Sequence, residues 1–228
     1  MQSIILVAGL GTRMGDLTKD CPKPMLKIKN KPKLAYSIES LPDEITEVIL
    51  VVGYLKEQII DFFGDNYAGR EIIYVEQKKF NGTAGAVELA RDLIGDNDKF
   101  LVTMGDDLYD RKDLEKLLQE DQDLLAYETN QADQFGLVDV DREGNLISVV
   151  ECPHNKKNGL VNTGAYVLSA EYFKIPMVLI SNNEYGLPQT LVSMYPEHKT
   201  KVVSTNKWQS IGNPKDLKIA EKRIGEFL

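Results

Sequence analysis

Cysteine, histidine and tryptophan are scarce in this 228-residue sequence, which holds two, two and one of them respectively. Cys21 and Cys152 stand far apart, and neither belongs to a C-x-x-C or Cys/His pattern. Their number and spacing argue against a disulfide framework and against a zinc site. We therefore expect a protein of a reducing compartment, the cytoplasm.

Long apolar runs and an excess of positive charge are also missing. No stretch approaches the roughly 18 apolar residues of a membrane span, and the N-terminal MQSIILVAGLG lacks the basic segment of a signal peptide. Lys and Arg number 27 against 35 Asp and Glu, which gives a formal charge of −8. An acidic chain has the wrong sign for coating a polyanion, so we expect neither a nucleic-acid nor a membrane partner.

What the sequence contains is an alternation of apolar runs and helical segments over its first 130 residues. The apolar runs, typical of strands buried on both faces, are 3–8, 48–52, 72–75, 100–104 and 124–127. Helical spacing occupies 33–41, 55–63, 83–94 and 112–119. The alternation predicts an α/β fold with a largely parallel sheet.

The second part of the chain has shorter alternating runs and turn-rich connections. Runs at 135–140, 146–150 and 160–168 predict antiparallel strands, and a helix, a strand and a last helix follow at 187–194, 201–204 and 214–227. Asn213 and Pro214 suit the start of that last helix. No linker or repeat divides the chain, so we expect one domain over 1–228, with halves 1–130 and 131–228.

The loop after the first predicted strand, GLGTRMGDLTKDCPKPM, has the composition of a phosphate cradle. Gly9 and Gly11 let backbone N–H groups approach a ligand, while Thr12 adds a hydroxyl and Arg13 a planar cation. Two prolines hold Lys23 between them. The alternative is a plain tight turn, because G-x-G alone is a weak signal and both the dinucleotide and Walker patterns are incomplete.

Gln77 and the NGTAG segment behind it form a second candidate. A glutamine amide suits the imide edge of uracil or thymine, and Gly82 and Gly85 would let a flat base lie against the backbone. The alternative is a surface glutamine before a helix that begins at Thr83.

Asp106 and Asp107 follow the fourth predicted strand, at the edge of the sheet where ligands of α/β proteins bind. Carboxylates there suit Mg²⁺, which takes one or two acids together with water and substrate phosphates. The alternative is that these aspartates only form the turn before the next helix, where aspartate is common and Asp110 is placed to cap that helix.

The order G-x-G-T-R and then P-K-P resembles the signature of the sugar-nucleotide pyrophosphorylases, the nucleoside triphosphate:sugar-1-phosphate nucleotidyltransferases. The resemblance covers almost the whole chain and is densest before residue 110. It implies a Rossmann-like three-layer sandwich with a mostly parallel mixed sheet, Mg²⁺ as cofactor, and a nucleoside triphosphate and a sugar 1-phosphate as substrates. It assigns the nucleotide to Ala8, Gly9, Gly11, Thr12, Arg13, Gln77, Gly82 and Thr83, and catalysis to Arg13, Lys23 and Asp106, the last also the metal ligand.

The same resemblance makes 1–130 the nucleotide half and 131–228 the sugar-phosphate half, with Gly136, Glu151, Asn162 and Thr163 at the sugar phosphate. Gln77 in place of glutamate favours UTP or dTTP over GTP. Two positions depart from the family: Cys152 stands where a lysine is usual, and Ser210 where a second metal aspartate is usual. A neutral hydroxyl is a poor substitute for a carboxylate toward Mg²⁺.

These departures leave two hypotheses. The first is an active Mg²⁺-dependent transferase, in which Lys156 or Lys157 supplies the missing cation and Asp107 the missing carboxylate. The second is a regulatory homologue that binds nucleotide or nucleotide sugar with little or no turnover. A dinucleotide-binding oxidoreductase is disfavoured because Met14 stands in place of the last fingerprint glycine. The sequence leaves the sugar, the choice between UTP and dTTP, and homo-oligomerisation open.

Overall fold

A ten-stranded mixed sheet forms the centre of the computed structural model, which describes residues 1–96 and 98–227. In chain order the strands are β1 (Gln2–Leu6), β2 (Lys27–Ile28), β3 (Lys31–Pro32), β4 (Glu47–Val52), β5 (Asn66–Tyr67), β6 (Arg70–Glu76), β7 (Lys99–Met104), β8 (Leu108–Tyr109), β9 (Asp123–Thr129), β10 (Gly136–Val140), β11 (Leu146–Glu151), β12 (Gly159–Ser169), β13 (Lys201–Thr205) and β14 (Trp208–Gln209). The α-helices are α1 (Lys33–Glu39), α2 (Lys56–Phe63), α3 (Thr83–Glu88), α4 (Arg111–Leu117), α5 (Leu187–Ser193) and α6 (Pro214–Arg223).

The strand order across the large sheet is β11-β10-β12-β7-β1-β4-β6-β5, with β9 paired to β12 and β13 paired to β9. Strands β7, β1, β4 and β6 run parallel, as the apolar runs predict. In the register, Ile4 of β1 lies between Ile49 of β4 and Val102 of β7. All three side chains are fully buried, which explains why the middle of each of these strands is apolar.

The two faces of this sheet are covered by two apolar layers, so the three-layer sandwich is confirmed. Ile5 and Leu50 point to one face, where helices α1, α2 and α4 pack, and Ile4 and Val102 point to the other, where α3 and α5 pack. Burying one such side chain is worth about 1.5–3 kcal/mol, and these two layers therefore hold the sheet rigid. A rigid sheet fixes the loops that leave its strands.

Strands β10, β11 and β12 are antiparallel, as predicted for the second half. The run at 124–127, predicted as a member of the parallel series, forms β9 instead beside β12 and β13, antiparallel to the first and parallel to the second. Strand β12 occupies the place beside β7, which keeps β9 away from the parallel strands. An apolar run predicts a strand, but it does not predict which strands that strand pairs with.

The boundaries of the helices also differ from the prediction. The helix predicted over 83–94 ends at Glu88, and a separate 3-10 turn follows at Arg91–Leu93. The last helix begins as predicted, because the Asn213 side chain accepts from backbone N–H groups and Asp216 completes a capping box. Asp110 likewise caps α4, accepting from the N–H of Lys112. Among the described residues, no helix combines the length and the apolar character needed to cross a membrane.

The loops that carry the candidate site all leave the same edge of the sheet. The chain departs from β1 at Val7, from β6 at Gln77 and from β7 at Gly105. Strand β1 pairs with β7 on one side and with β4 on the other, and β4 pairs with β6. All of these pairs are parallel, so the carboxyl ends of the strands lie at the same edge of the sheet. In α/β proteins, ligands bind at that edge.

Candidate active site

The loop after β1 is folded by internal contacts that leave its polar groups outside. Gly11 has a φ of +66°, and a Cβ at this position would stand 2.9 Å from Cβ of Lys23 and 3.1 Å from Cγ2 of Thr18. The Thr18 hydroxyl donates to the carbonyl of Gly11 at 3.1 Å, and Met14 is buried beneath the loop. Only glycine satisfies both the backbone angle and the space at position 11.

The groups predicted to hold phosphate are on the outer side of that loop. Gly9, Thr12 and Arg13 are exposed, and the 3-10 turn Thr12–Thr18 begins directly after Gly11. The loop therefore presents a hydroxyl, a guanidinium and backbone N–H groups to solvent at the ligand-binding edge.

Lys23 and Asp106 form an ion pair across this edge. The Pro-Lys-Pro segment places Lys23 in a 3-10 turn, with the preceding Pro22 in an extended conformation, and the lysine is largely buried. Burial raises the pKa of Asp106, but the charges of Lys23 and Lys33 outweigh it and hold that pKa below its usual value. The structure thus brings two of the three predicted catalytic residues into direct contact.

Asp107 binds a distant segment of the chain. Its carboxylate accepts from Nε1 of Trp208 at 3.0 Å and from the N–H of Ile211 at 3.2 Å. Burial, followed by the charge of Asp106, raises the pKa of Asp107 to about 7. Asp107 therefore fastens the segment after β14 to the site, and both carboxylate oxygens are already hydrogen-bonded within the protein.

The fastened segment brings Gly212 to the first loop. A Cβ on Gly212 would lie 3.6 Å from Nη1 of Arg13, so the guanidinium rests against this segment. Ser210 lies directly before Ile211, the residue whose N–H binds Asp107. A segment near the end of the chain thus meets Asp107 and the first loop, although its Ser210 adds no negative charge there.

The donors present fit a magnesium ion that is held jointly by the protein and its substrate. Among residues 1–96 and 98–227, no three acidic, histidine or cysteine side chains gather into a metal-binding group. The Asp106 side chain is nevertheless 26% exposed, so its carboxylate can reach an ion. Because Mg²⁺ is commonly bound by one or two carboxylates plus phosphates and water, Asp106 with a bound triphosphate is a sufficient set.

The base-binding candidate, Gln77, is buried, and its side chain stabilises the loop that follows it. Its Nε2 donates to Oδ1 of Asn81 at 3.2 Å and to the carbonyl of Gly82 at 3.3 Å. A Cβ on Gly82 would stand 2.4 Å from the carbonyl oxygen of Tyr185, so glycine is required there by the crossing chain. The Thr83 hydroxyl accepts from the N–H of Leu187. Gly82 and Thr83 therefore join α3 to α5, and their contact with a base stays a prediction.

One exposed aromatic residue beside this loop was missed by the sequence analysis. Phe80 is 47% exposed, and its ring packs against Gly53, whose neighbour Tyr54 donates its N–H to the carbonyl of Ala8. An exposed ring at the ligand-binding edge provides a surface on which a base can lie. The signal available in the sequence was a lone phenylalanine among polar residues in KKFNGT.

The predicted sugar-phosphate residues come from three neighbouring strands, because β10 lies between β11 and β12 and its Leu137 pairs with Val161 of β12. Gly136 and Glu151 face each other across β10 and β11, and Glu151 accepts from Nε2 of Gln189 on α5. Glu151 is exposed at this rim of the sheet. These two residues lie close together, and their contact with a sugar phosphate stays a prediction.

Asn162 and Thr163 shape an irregularity in β12. The register of β12 against β9 shifts between Asn162 and Tyr166, and Asn162 donates to the Tyr166 hydroxyl at 2.7 Å. Thr163 is buried, with its hydroxyl donating to the carbonyl of Leu125 at 2.7 Å. The structure gives the Thr163 side chain an internal partner, and a sugar contact from either residue stays a prediction.

The residues offered as substitutes for the missing cation are on the surface. Cys152, Lys156 and Lys157 are exposed in the loop after β11. The contacts that the structure describes for the two lysines run through the backbone, to Pro153 and Ala132.

A cation that the sequence analysis did not single out lies inside the site. Lys33, the first residue of α1, is fully buried, and the charges of Asp106, Lys23 and Asp107 act on it. Burial lowers the pKa of Lys33 to about 8. In the sequence it looks like an ordinary lysine in the lysine-rich stretch KIKNKPK, so nothing in the pattern marks it as buried.

A family model described as nucleotidyl transferase matches residues 2–226. The chain belongs to the nucleotidyl transferase family. It is 34% identical over 227 residues to the bifunctional protein GlmU of Methanocaldococcus jannaschii, covering 98% of this chain and 54% of that protein. The chain thus spans about half the length of this and other GlmU relatives that it matches.

Two further relatives carry different nucleotides in their names. UTP–glucose-1-phosphate uridylyltransferase AglF of Haloferax volcanii is 30% identical over 238 residues, covering 99% of this chain and 97% of that one. D-glycero-alpha-D-manno-heptose 1-phosphate guanylyltransferase of Campylobacter jejuni is 40% identical over 176 residues, covering 76% of this chain and 78% of that protein. Among solved structures, a UDP-glucose pyrophosphorylase complexed with UDP-glucose superposes with a TM-score of 0.84 at 22% identity, over 99% of this chain and 98% of that one. That likeness supports the fold alone.

Proposed function

We propose that the protein transfers a nucleotidyl group from a nucleoside triphosphate to a sugar 1-phosphate, giving a nucleotide sugar and pyrophosphate. The observation that carries the proposal is the ion pair of Lys23 with Asp106 at the carboxyl edge of the parallel strands, with Lys23 on the loop that also carries Arg13. Two cations and one carboxylate at such an edge suit a polyphosphate and its divalent ion. Membership in the family supports the same conclusion.

The reaction needs charge neutralisation more than proton transfer. A phosphate oxygen of the sugar 1-phosphate attacks the α-phosphorus, a new P–O bond forms, and the bond from the α-phosphorus to the bridging oxygen breaks. The electron pair leaves with pyrophosphate. Because the attacking group is already ionised, no general base is required.

Each residue of the site has a part in this proposal. Arg13 and the loop N–H groups hold the triphosphate in line with the acceptor, and Lys23 exchanges its partner Asp106 for a substrate phosphate. Orientation and preorganised charge of this kind are the main sources of rate in phosphoryl-type transfers. Mg²⁺, when bound at Asp106, neutralises charge on the triphosphate.

The two halves of the chain divide the substrates in this proposal. Residues 1–130 supply the triphosphate and base contacts, and residues 131–228 supply Gly136, Glu151, Asn162 and Thr163 for the sugar phosphate. Gln77 supports a preference for UTP or dTTP. The relatives named for uridylyl and guanylyl transfer show that the family uses more than one base.

A second candidate is a homologue that binds nucleotide with little turnover. The observation that favours it is the charge around Asp106: Ser210 contributes no carboxylate, and Lys23 and Lys33 both act on the remaining one. Loss of a single stabilising group typically lowers a rate by about 10²–10³.

Pyrophosphate release separates the two candidates. The full chain is incubated with Mg²⁺, one of five triphosphates (UTP, dTTP, GTP, CTP or ATP) and a panel of hexose 1-phosphates, while nucleotide binding is measured by calorimetry. The transferase proposal predicts release that requires both substrates and is fastest with UTP or dTTP. Saturable nucleotide binding without release from any pair would overturn it and leave the binding homologue.

A further inference from the structure

The candidate site contains a buried cation with no assigned role in the proposed transfer. Lys33 is fully buried at the start of α1, and among residues 1–96 and 98–227 its Nζ has no hydrogen-bond partner. A lone buried ammonium group is costly, since burial removes it from water without replacing its hydrogen bonds. Such a group persists only where surrounding charge offsets the cost.

The charge that offsets it comes from the turn after β7. Asp106 and Asp107 both attract Lys33, whereas Lys23 repels it. Helix α1 is fixed to this turn, because the hydroxyl of Ser37, one helical turn beyond Lys33, donates to the backbone carbonyl of Asp107 at 3.2 Å. Because α1 is tied to this turn and Lys33 is fully buried, the charge of Lys33 acts on the turn from inside the protein.

The two lysines beside Asp106 differ in what they can do. Lys23 is hydrogen-bonded to Asp106 at the border of the site, where it also borders the first loop through Gly11. A bound polyphosphate would draw Lys23 toward itself. Lys33 is enclosed in the protein, so it stays with the turn whether or not a substrate is present.

Without Lys33, drawing Lys23 away would leave two neighbouring carboxylates in one largely buried turn. Like charges at close range repel each other strongly where water is scarce. Asp107 is held in place by Trp208 and Ile211, so Asp106 is the side chain that would move. Displacement by about 1 Å at a reacting centre can cost about a hundredfold in rate.

We propose that Lys33 is the permanent counter-ion of the Asp106–Asp107 turn and thereby a positioning residue, holding Asp106 in place when substrate phosphates take Lys23. The positioning role rests on the proposed transferase function, whereas the counter-ion role does not. The enclosed lysine also gives the turn a fixed positive charge at a site where Ser210 supplies no second carboxylate.

The test replaces Lys33 with methionine, which has a similar length and no charge. Lys218→Met is the matched control, because it makes the same charge change at an exposed position of α6. Three quantities are measured on the full chain: the melting temperature, the affinity for Mn²⁺ without nucleotide, followed by electron paramagnetic resonance, and kcat and KM for the triphosphate.

The proposal predicts a distinct pattern for Lys33→Met. The melting temperature changes little, because in the free protein Lys23 still pairs with Asp106 when Lys33 is replaced. Mn²⁺ binds about tenfold more tightly, since a cation beside the carboxylates is gone. The kcat falls by about 10- to 100-fold while KM for the triphosphate changes less than threefold, and the control leaves all three quantities unchanged.

Other patterns overturn the proposal. Unchanged Mn²⁺ affinity would show that Lys33 is not the counter-ion of the turn, and tighter Mn²⁺ binding with unchanged kcat would overturn the positioning role. A parallel fall of melting temperature and kcat would mark Lys33 as part of the general packing. If the unmodified protein releases no pyrophosphate, the transferase proposal fails with the positioning role, and the Mn²⁺ titration still decides the counter-ion role by itself.

Discussion

Replacing Gly11 with alanine tests whether the first loop and Lys23 form one unit. Position 11 has a φ of +66°, and an added Cβ would stand 2.9 Å from Cβ of Lys23 and 3.1 Å from Cγ2 of Thr18. The left-handed conformation costs a residue with a Cβ about 1–2 kcal/mol, and overpacking typically costs about 1–3 kcal/mol more. We expect Gly11→Ala to lower the free energy of unfolding by about 2–5 kcal/mol.

The same substitution should also reduce turnover. The closest contact is with Cβ of Lys23, which is fixed to the backbone, so the lysine must shift as a whole. A shift of about 1 Å at the site predicts a loss of turnover of up to about a hundredfold. Urea denaturation measures the stability change, and pyrophosphate release measures the turnover.

Gly144→Ala is the control for this experiment. Gly144 lies in the turn between β10 and β11 with a φ of +81°, and a Cβ there would meet nothing within 4 Å. Gly144→Ala should lower the free energy of unfolding only by the cost of the left-handed backbone conformation, about 1–2 kcal/mol, and it should leave turnover unchanged. Equal stability losses in the two variants, with full turnover in Gly11→Ala, would refute the idea that the loop and Lys23 are packed as one unit.

Three other predictions address the site and its support. Arg13→Ala should lower pyrophosphate release by about 10²–10³ while changing the free energy of unfolding by less than about 0.5 kcal/mol, because the side chain is exposed; a matching loss of stability would contradict this. Trp208→Phe removes the N–H that Asp107 accepts from and should destabilise the protein by about 1–3 kcal/mol in urea, whereas no change would show the bond to be unimportant. Because the pKa of Lys33 falls from 10.5 to about 8 on folding, the unfolded chain binds more protons between these values. The unfolding free energy should therefore rise with pH across that window relative to Lys33→Met, and parallel pH profiles would contradict the assignment.

The sequence predicted the parallel core because each of its strands contains a run of apolar residues. It also predicted the residues at the ends of those strands, since parallel strands bring their carboxyl ends together. Gly11 and Lys23 lie in the loop after β1 and Asp106 in the turn after β7, and their meeting follows from the pairing of β1 with β7 in the sheet.

What the sequence could not predict depends on contacts between distant segments. Asp107 takes its partners from about one hundred residues later in the chain, so its supporting role is invisible in the pattern around it. Thr163 looks like an exposed residue at a strand end, but an irregularity of β12 turns it inward to Leu125. Lys33 resembles the exposed lysines beside it, and only the packing of α1 under the turn shows that it is buried.

Transfer of an α-phosphate label tests the central claim most directly. The protein is incubated with Mg²⁺, a hexose 1-phosphate and UTP or dTTP labelled at the α-phosphorus, and the products are separated by chromatography. The account predicts that the label appears in a nucleotide sugar, at a rate that falls by about 10²–10³ in Arg13→Ala. A label that stays in the triphosphate with every base and sugar tested, while the folded protein binds nucleotide, would contradict it.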